Sequence, residues 1–289
     1  MRVKRIFFSK FDPAKFWFRI MIVGLLLIYL WNAAFLYESG FKRWQAALFN
    51  SIFVSFVASL LSIFLGWFFS YYKYISEYLD KVVVSKTIIF FIDAIKSIPQ
   101  VIGALTGYAI LTNLTARDYN LSSFVLLILL SFILGLFLFV EAYDMFNERI
   151  AYYKDKDFIS ALRVLGMKES SIINKEIFYK NSRPYVIQKF ASIFGEVFFL
   201  QASVDYIISV GLTLKTNLVS LPPTLGNLLA RIDSKQDIFA IGMIFSNLSY
   251  IFELPFKHLQ GLSAALTLVF VLICVYKIAN ALTEKLENK

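Results

Sequence analysis

The sequence predicts an all-α polytopic membrane protein with six transmembrane helices and a helical loop on the cytoplasmic side. Three observations carry this reading. Of the 289 residues, 58% are hydrophobic and only 17% are charged, whereas a soluble chain is typically about 45–50% apolar and about 25% charged. The apolar residues gather into stretches near the roughly 20 needed to cross a bilayer. The bases fall unequally on the two sides that those stretches would define.

Taken in order, residues 1–19 form a basic arm with Arg2, Lys4, Arg5, Lys10, Lys15 and Arg19, and with Phe7, Phe8, Phe11 and Trp17 interleaved. The arm reads as an amphipathic element on the membrane surface. The first span runs from Ile20 to Tyr37. It is too long for a cleaved signal peptide and serves as an uncleaved targeting segment. A short outer loop completes residues 20–47. The second span covers Leu48 to Tyr71, the third Thr87 to Leu111, and the fourth Leu121 to Val140. A large loop at 144–183 leads to the fifth span, Pro184 to Leu212. An outer segment at 213–260 holds a moderately apolar stretch from Ile238 to Phe256, interrupted by Gly242, Asn247, Glu253 and Pro255, which suits short helices at the outer surface better than a seventh span. The sixth span, Gly261 to Tyr276, closes a core of five spans over 48–276, and 277–289 is a polar tail.

With the N-terminus inside, twenty Lys and Arg lie in the segments on the side of both termini and seven on the other, Lys96 and Lys189 falling within spans. Both termini are therefore expected in the cytoplasm. This distribution accounts for the net charge of +9 through topology and attraction to an anionic leaflet, and nucleic acid is not expected as a partner. One cysteine, Cys274, excludes an intrachain disulfide and a thiolate zinc site. One histidine, His258, excludes a multi-histidine metal site, and no Gly-rich phosphate loop ending in Gly-Lys-Ser or Gly-Lys-Thr is present. No metal or cofactor is expected, and no catalytic residue is assigned.

The most informative segment is the 144–183 loop. Phe158, Ala161, Leu162 and Leu165 recur at helical spacing, Asp157 suits an N-cap, and Gly166 suits a left-handed stop. A second helix is expected from Ser170 to Phe178, with Ile173 and Ile177 on one face, before Pro184 opens the next span. From periodicity alone, this helix–glycine–helix unit is either a connector resting on lipid headgroups or a docking knob.

The residues Ala161, Arg163, Leu165 and Gly166, followed by Ile177 and Pro184, resemble the EAA loop of permease subunits in binding-protein-dependent ABC importers. Ser160 stands where that family has Glu, Leu162 where it has the second Ala, and Phe178, Tyr179 and Lys180 replace its Leu-Pro-Asn. Asp93, Ser97 and Pro99 in the third span, and Pro222, Pro223, Thr224, Gly226, Asn227 and Leu228 after the fifth, are similar to segments of the dipeptide, oligopeptide and nickel branch. The short first outer loop is closer to that branch's second permease. The resemblance covers about Leu48 to the C-terminus, apart from 237–260.

It implies a transmembrane permease subunit of an ATP-driven importer, with peptides the substrate expected in that branch, in the bacterial cytoplasmic (inner) membrane. Its partners would be a second permease subunit in a heterodimer, two ATP-binding cassette subunits that hydrolyse ATP, an extracytoplasmic substrate-binding protein and the lipid bilayer. The 157–183 segment would be the coupling-helix loop, with Ser160, Ala161, Leu162, Arg163, Gly166, Met167 and Lys168 at the contact with the ATPase.

Charged residues inside a bilayer are costly and face protein or water. Glu141, Glu196 and Asp205 are thus candidates for the translocation path, with structural pairing as the competing role, and Lys189 is a candidate partner. Asp93 and Lys96, three apart, can pair on one helical face. Two other classes fit the composition: an ATP-independent secondary transporter, and an intramembrane enzyme, for which one His, one Cys and no paired acid motif offer little.

Overall fold

The computed structural model describes residues 12–36, 38–116, 122–211, 222–230, 242–253, 256 and 260–287, and these are predominantly helical with no strand among them. Most of the basic arm, Lys215, Arg231, Lys235, Asp237, Lys257 and His258 lie outside the described residues. The elements are α1 (Pro13–Phe35), α2 (Glu38–Tyr78), α3 (Val82–Lys96), α4 (Gln100–Ala116), α5 (Ser123–Tyr153), α6 (Asp157–Val164), a single turn α7 (Glu169–Ser171) continued by a π-helix (Ile172–Asn181), α8 (Arg183–Gly211), α9 (Leu225–Ala230), a short helix α10 (242–246), a 3₁₀ turn (Leu248–Phe252) and α11 (Gln260–Glu287). Five helices, α1, α2, α5, α8 and α11, are long and apolar enough to cross a membrane, and the bent pair α3–α4 makes a sixth if counted as one span.

Several boundaries differ from the sequence reading. The third span is not one helix: α3 and α4 meet at 88°. Pro99 is the cause, since it brings no N–H and disfavours helical backbone at Ile98. The Ile98 amide instead closes a tight bond to Ile95 O at 3.1 Å. The loop expected between the first two spans is helical, so α2 has 41 residues and a length of about 60 Å, twice a bilayer core. Likewise α5 continues well past Val140, to Tyr153.

The helices align by their polar stitches. Lys285 Nζ reaches Asp12 Oδ2 at 2.7 Å and Gln188 donates to Thr283 Oγ1 at 3.1 Å. Asp12 and Lys285 therefore lie at the end that carries α6, here termed the α6 end. At the opposite, α9 end, Trp44 donates to Thr267 at 3.2 Å, Ser263 donates to Asn32, and Asn50 donates to Pro223 O at 2.8 Å.

The tightest seam joins α2 to α5. Ser55, Ala58, Ser59, Ser62 and Gly66 recur three or four apart on α2 and are buried or nearly so against Leu134, Gly135, Leu138 and Ala142 of α5. Small residues let two backbones approach closely without a hydrophobic driving force between apolar helices. The approach is closest at Gly66, where a Cβ would sit 2.6 Å from Ala142 Cβ and 2.7 Å from Tyr143 N. Ser62 adds a bond to Gly135 O at 3.1 Å. On α4, Gly103 and Gly107 accept the Phe137 and Ile133 side chains of α5 in the same way.

Candidate functional site

The segment between α5 and α8 folds as a knob with its own core. Ile159, Ile172, Ile173, Ile177 and Phe178 bury against Met145, Phe146 and Ile150 of α5, with Trp67, Tyr71, Tyr74 and Ile75 of α2 around them. The long ends of α2 and α5 are thus what the knob packs on. Its second half explains the π-helix. Ile172 with Ile177, and Ile173 with Phe178, are apolar pairs five apart, so an i→i+5 coil sets both pairs on one face. Ser182 N bonds Ile177 O at 2.9 Å, which continues that pattern. The expected ordinary helix from Ser170 to Phe178 is replaced by this wider coil.

Short α6 is held by one buried side chain, Ile159, with Leu162 half-buried beside it. Apart from Leu162, the stripe of apolar residues at helical spacing turns outward. Phe158 and Ala161 are exposed, and Val164 and Leu165 stand 88% and 77% in the open. Asp157 does not cap: Lys156 holds the N-cap position without a side-chain bond, and Asp157 is the first helical residue. Gly166 does stop the helix in the left-handed region, at φ +77°. Its N–H bonds Arg163 O at 2.9 Å and the Met167 N–H reaches Leu162 O at 3.1 Å, which satisfies carbonyls the helix end would leave open.

This reversal brings Arg163 onto Glu169. The guanidinium grips the carboxylate with two bonds, Nε to Oε2 at 3.1 Å and Nη2 to Oε1 at 2.8 Å. Tyr74 of α2 donates to the same Oε1 at 2.7 Å, and Arg163 Nη1 also bonds Lys154 O at 3.2 Å. The Glu169 side chain is 6% exposed and that of Arg163 36%. The bidentate hydrogen bonds from Arg163 hold the Glu169 carboxyl below its ordinary value of 4.5, against the opposing effect of burial. A second tie runs from Trp67 Nε1 to Asn174 Oδ1 at 2.9 Å. Of the residues expected at a partner contact, Ser160, Ala161, Arg163, Gly166 and Lys168 are exposed, the Arg163 guanidinium being bound to Glu169, and Leu162 and Met167 are half-buried.

Sequence reasoning missed Glu169, Tyr74 and Trp67. Glu169 is six residues from Arg163, a spacing that lies on no common helix face, and only the Gly166 reversal joins them. The tie to Tyr74 is long-range and leaves no local pattern.

A second cluster sits deeper, between α5 and α8. Lys189 Nζ lies 3.3 Å from Glu141 Oε2, Gln100 Nε2 is 3.4 Å from Glu141 Oε1, and Ser192 donates to Glu196 at 3.4 Å. Glu196 is also a direct neighbour of Glu141. Two of the three path candidates therefore meet, with a lysine between α5 and α8 to balance them. Lys96, expected to pair with Asp93, instead reaches Asp144 at 2.8 Å. The α3–α4 bend sets the end of α3 beside α5, and the long lysine chain spans the gap.

Asp205, the third candidate, is elsewhere. It is 6% exposed at the α9 end, where Thr224 donates a short hydrogen bond to its carboxylate. Thr224 also accepts from Asn227 N at 3.2 Å, and Ser51 accepts from Leu225 N at 3.0 Å. Gly226 lets this turn lie flat on α8, since a Cβ there would come within 2.6 Å of the Ala202 backbone. Asp205 is committed to holding α9 in place. Among the described residues no group of His, Cys, Asp and Glu could hold a metal ion.

No known protein-family model matches the chain, and no curated protein matches it significantly.

Proposed function

We propose that this chain is the membrane-spanning permease subunit of an ATP-driven importer of the ABC type, for peptides, with α6 as its docking element for an ATPase subunit. The observation that carries the proposal is the knob itself. Its α6 presents Phe158, Val164 and Leu165 to the surroundings, while Arg163, Glu169 and Tyr74 fasten the same unit to α2. An exposed apolar ridge on a fastened base suits transmission of a push from a partner. Val164 and Leu165 standing this open suit a partner surface better than a mere connector facing water, since exposed apolar patches mark interaction sites.

In this reading the α6 end is cytoplasmic in a bacterial inner membrane, and the chain works beside a second permease subunit, two ATP-binding cassette subunits and an extracytoplasmic binding protein. Nucleotide is bound and hydrolysed by the partner, and the chain is not itself an enzyme. ATP-driven closure of the ATPase pair moves α6, and the spans alternate between inward and outward openings. Glu141 and Glu196 line the path in its cytoplasmic half, with Lys189 balancing their charge, and Asp205 positions α9 at the outer mouth.

The test is Leu165→Glu. A charge at this open position is expected to leave thermal unfolding of the chain within about 0.5 kcal/mol of the parent, but to abolish co-purification of an ATP-binding cassette subunit and ATP-dependent peptide uptake. Unchanged assembly and uptake would refute the docking role. A second reading, an ion-coupled carrier, draws on the Glu141–Lys189–Glu196 cluster. It predicts uptake by the purified chain alone, in vesicles without ATP.

A further inference from the structure

An open cleft of about 460 Å³ lies at the α6 end, where α2, α5, the π-helix and the start of α8 meet. That volume falls in the range of small-molecule sites, about 300–1,000 Å³. One wall runs along α2 from Trp67 through Phe64 to Leu60, about 10 Å into the apolar part of the bundle. Phe178 and Val186 form the facing side, so the interior offers no polar group. At the lip stand Arg183, Asn174 and Tyr179.

Arg183 differs from its neighbours. Arg149 lies on the Tyr185 ring at 3.9 Å and Arg163 is bound to Glu169, whereas Arg183 is exposed and makes no ion pair, hydrogen bond or ring contact among the described residues. It is also the first residue of α8. Asn174 uses its oxygen for Trp67, which leaves its amide nitrogen as a donor at the same lip.

We propose that this cleft binds one anionic phospholipid, its phosphate on Arg183 and an acyl chain along the Trp67–Phe64–Leu60 wall. Charge and shape argue together. A free guanidinium over an apolar slot at the membrane boundary suits a ligand with one negative head and a long apolar tail, and basic pockets between helices on the cytoplasmic side hold such headgroups. The proposal needs a membrane-embedded chain but not the transport reading.

The experiment uses the purified full chain in micelles doped with phosphatidylglycerol or with phosphatidylcholine, with retained lipid counted by native mass spectrometry. The parent chain is expected to retain phosphatidylglycerol selectively. Arg183→Gln should lower that retention about fivefold, the effect of one interfacial cation. Leu60→Trp, which adds bulk from a half-exposed position, should lower it as well. Lys180→Gln is the charge control, since Lys180 is paired with Glu176 at 2.6 Å and does not line the cleft, and it should retain lipid as the parent does. Thermal unfolding of each variant confirms its fold. Equal retention in Arg183→Gln, or an equal loss in Lys180→Gln, would overturn the site. So would rapid crosslinking of two chains through Phe64→Cys, which would place a second copy in the cleft.

Discussion

Removing Arg163 should cost the knob more than neutralising Glu169, although the two residues share the same bonds. In Arg163→Met a carboxylate that is 6% exposed loses both guanidinium bonds and keeps only the Tyr74 hydroxyl. Breaking a fully buried pair costs about 3–5 kcal/mol. Two considerations reduce this figure. The arginine side chain is 36% exposed, and pairs open to water are worth far less. The stranded carboxyl can also take up a proton. From an ordinary value of 4.5 that costs at most about 3.4 kcal/mol at pH 7, at about 1.36 kcal/mol per unit. An increase of about 2 kcal/mol in local instability is expected. In Glu169→Gln the amide oxygen still accepts from Tyr74 and Arg163, and the guanidinium can turn to water, so about 1 kcal/mol is expected.

The assay is hydrogen exchange of the 157–181 amides in detergent or nanodiscs, read as the free energy of local opening. The double variant should show a coupling energy of about 1 kcal/mol or more. The pH dependence has a fixed sign. Because the folded carboxyl titrates below 4.5, its contribution is fully present above that value and is lost as pH falls through the depressed folded one. The gap between parent and Arg163→Met should therefore narrow in acid. A larger effect for Glu169→Gln, or coupling below about 0.3 kcal/mol, would refute the assignment of the pair as the fastening of the knob.

At the α9 end, Gly226→Val should lower thermal stability by about 1–3 kcal/mol through overpacking, because the contacts at 2.5–2.6 Å are to Ala202 backbone that cannot step aside. Gly166→Ala meets nothing within 4 Å, and its loss of about 1–2 kcal/mol should come from the left-handed backbone alone. Gly166→Asn, which tolerates that region, should recover part of it in the same melting assay. Lys189→Met leaves Glu141 and Glu196 facing each other without their cation and should cost about 1–2 kcal/mol. A compensating Glu141→Gln should restore thermal stability, and failure to do so would show that Lys189 serves packing rather than charge.

The sequence makes the spans legible because hydropathy is a property of each segment by itself. It was equally informative about Gly166, whose role depends on its own missing Cβ. What it hid depends on partners far along the chain. Spacing grouped Phe158, Ala161, Leu162 and Leu165 on one stripe of α6 but did not say which way the stripe turns, and burial is decided by Ile159 and by the α2 and α5 extensions beneath it. Lys96 had an acidic neighbour three residues away and found Asp144 instead, because the bend at Pro99 was not visible as a change in direction. Asp205 and Glu196 look alike as carboxylates within one apolar stretch. They are told apart by distant neighbours, Thr224 beside Asp205 and Glu141 beside Glu196.

The placement of stiff and compliant parts bears on how a push on α6 would travel. The knob shares its core with α2 and α5, and those two helices lock along a seam of serine, alanine and glycine that leaves no room to slide at Gly66. α2 is unbroken from Tyr74 to Ser51, and the Ser51 hydroxyl receives the Leu225 amide that opens α9. Knob, α2, α5 and α9 are thus tied as one body by hydrogen bonds and close contacts. The exception is the elbow at Ser97–Pro99, where helical bonding is interrupted between α3 and α4. A rotation of the tied body is most cheaply absorbed there, since a break in the amide ladder bends without losing bonds that an intact helix would have to give up. The cluster of Gln100, Glu141, Lys189 and Glu196 begins directly after that elbow. In the proposed transporter, the polar groups of the path therefore adjoin the point at which the bundle can yield.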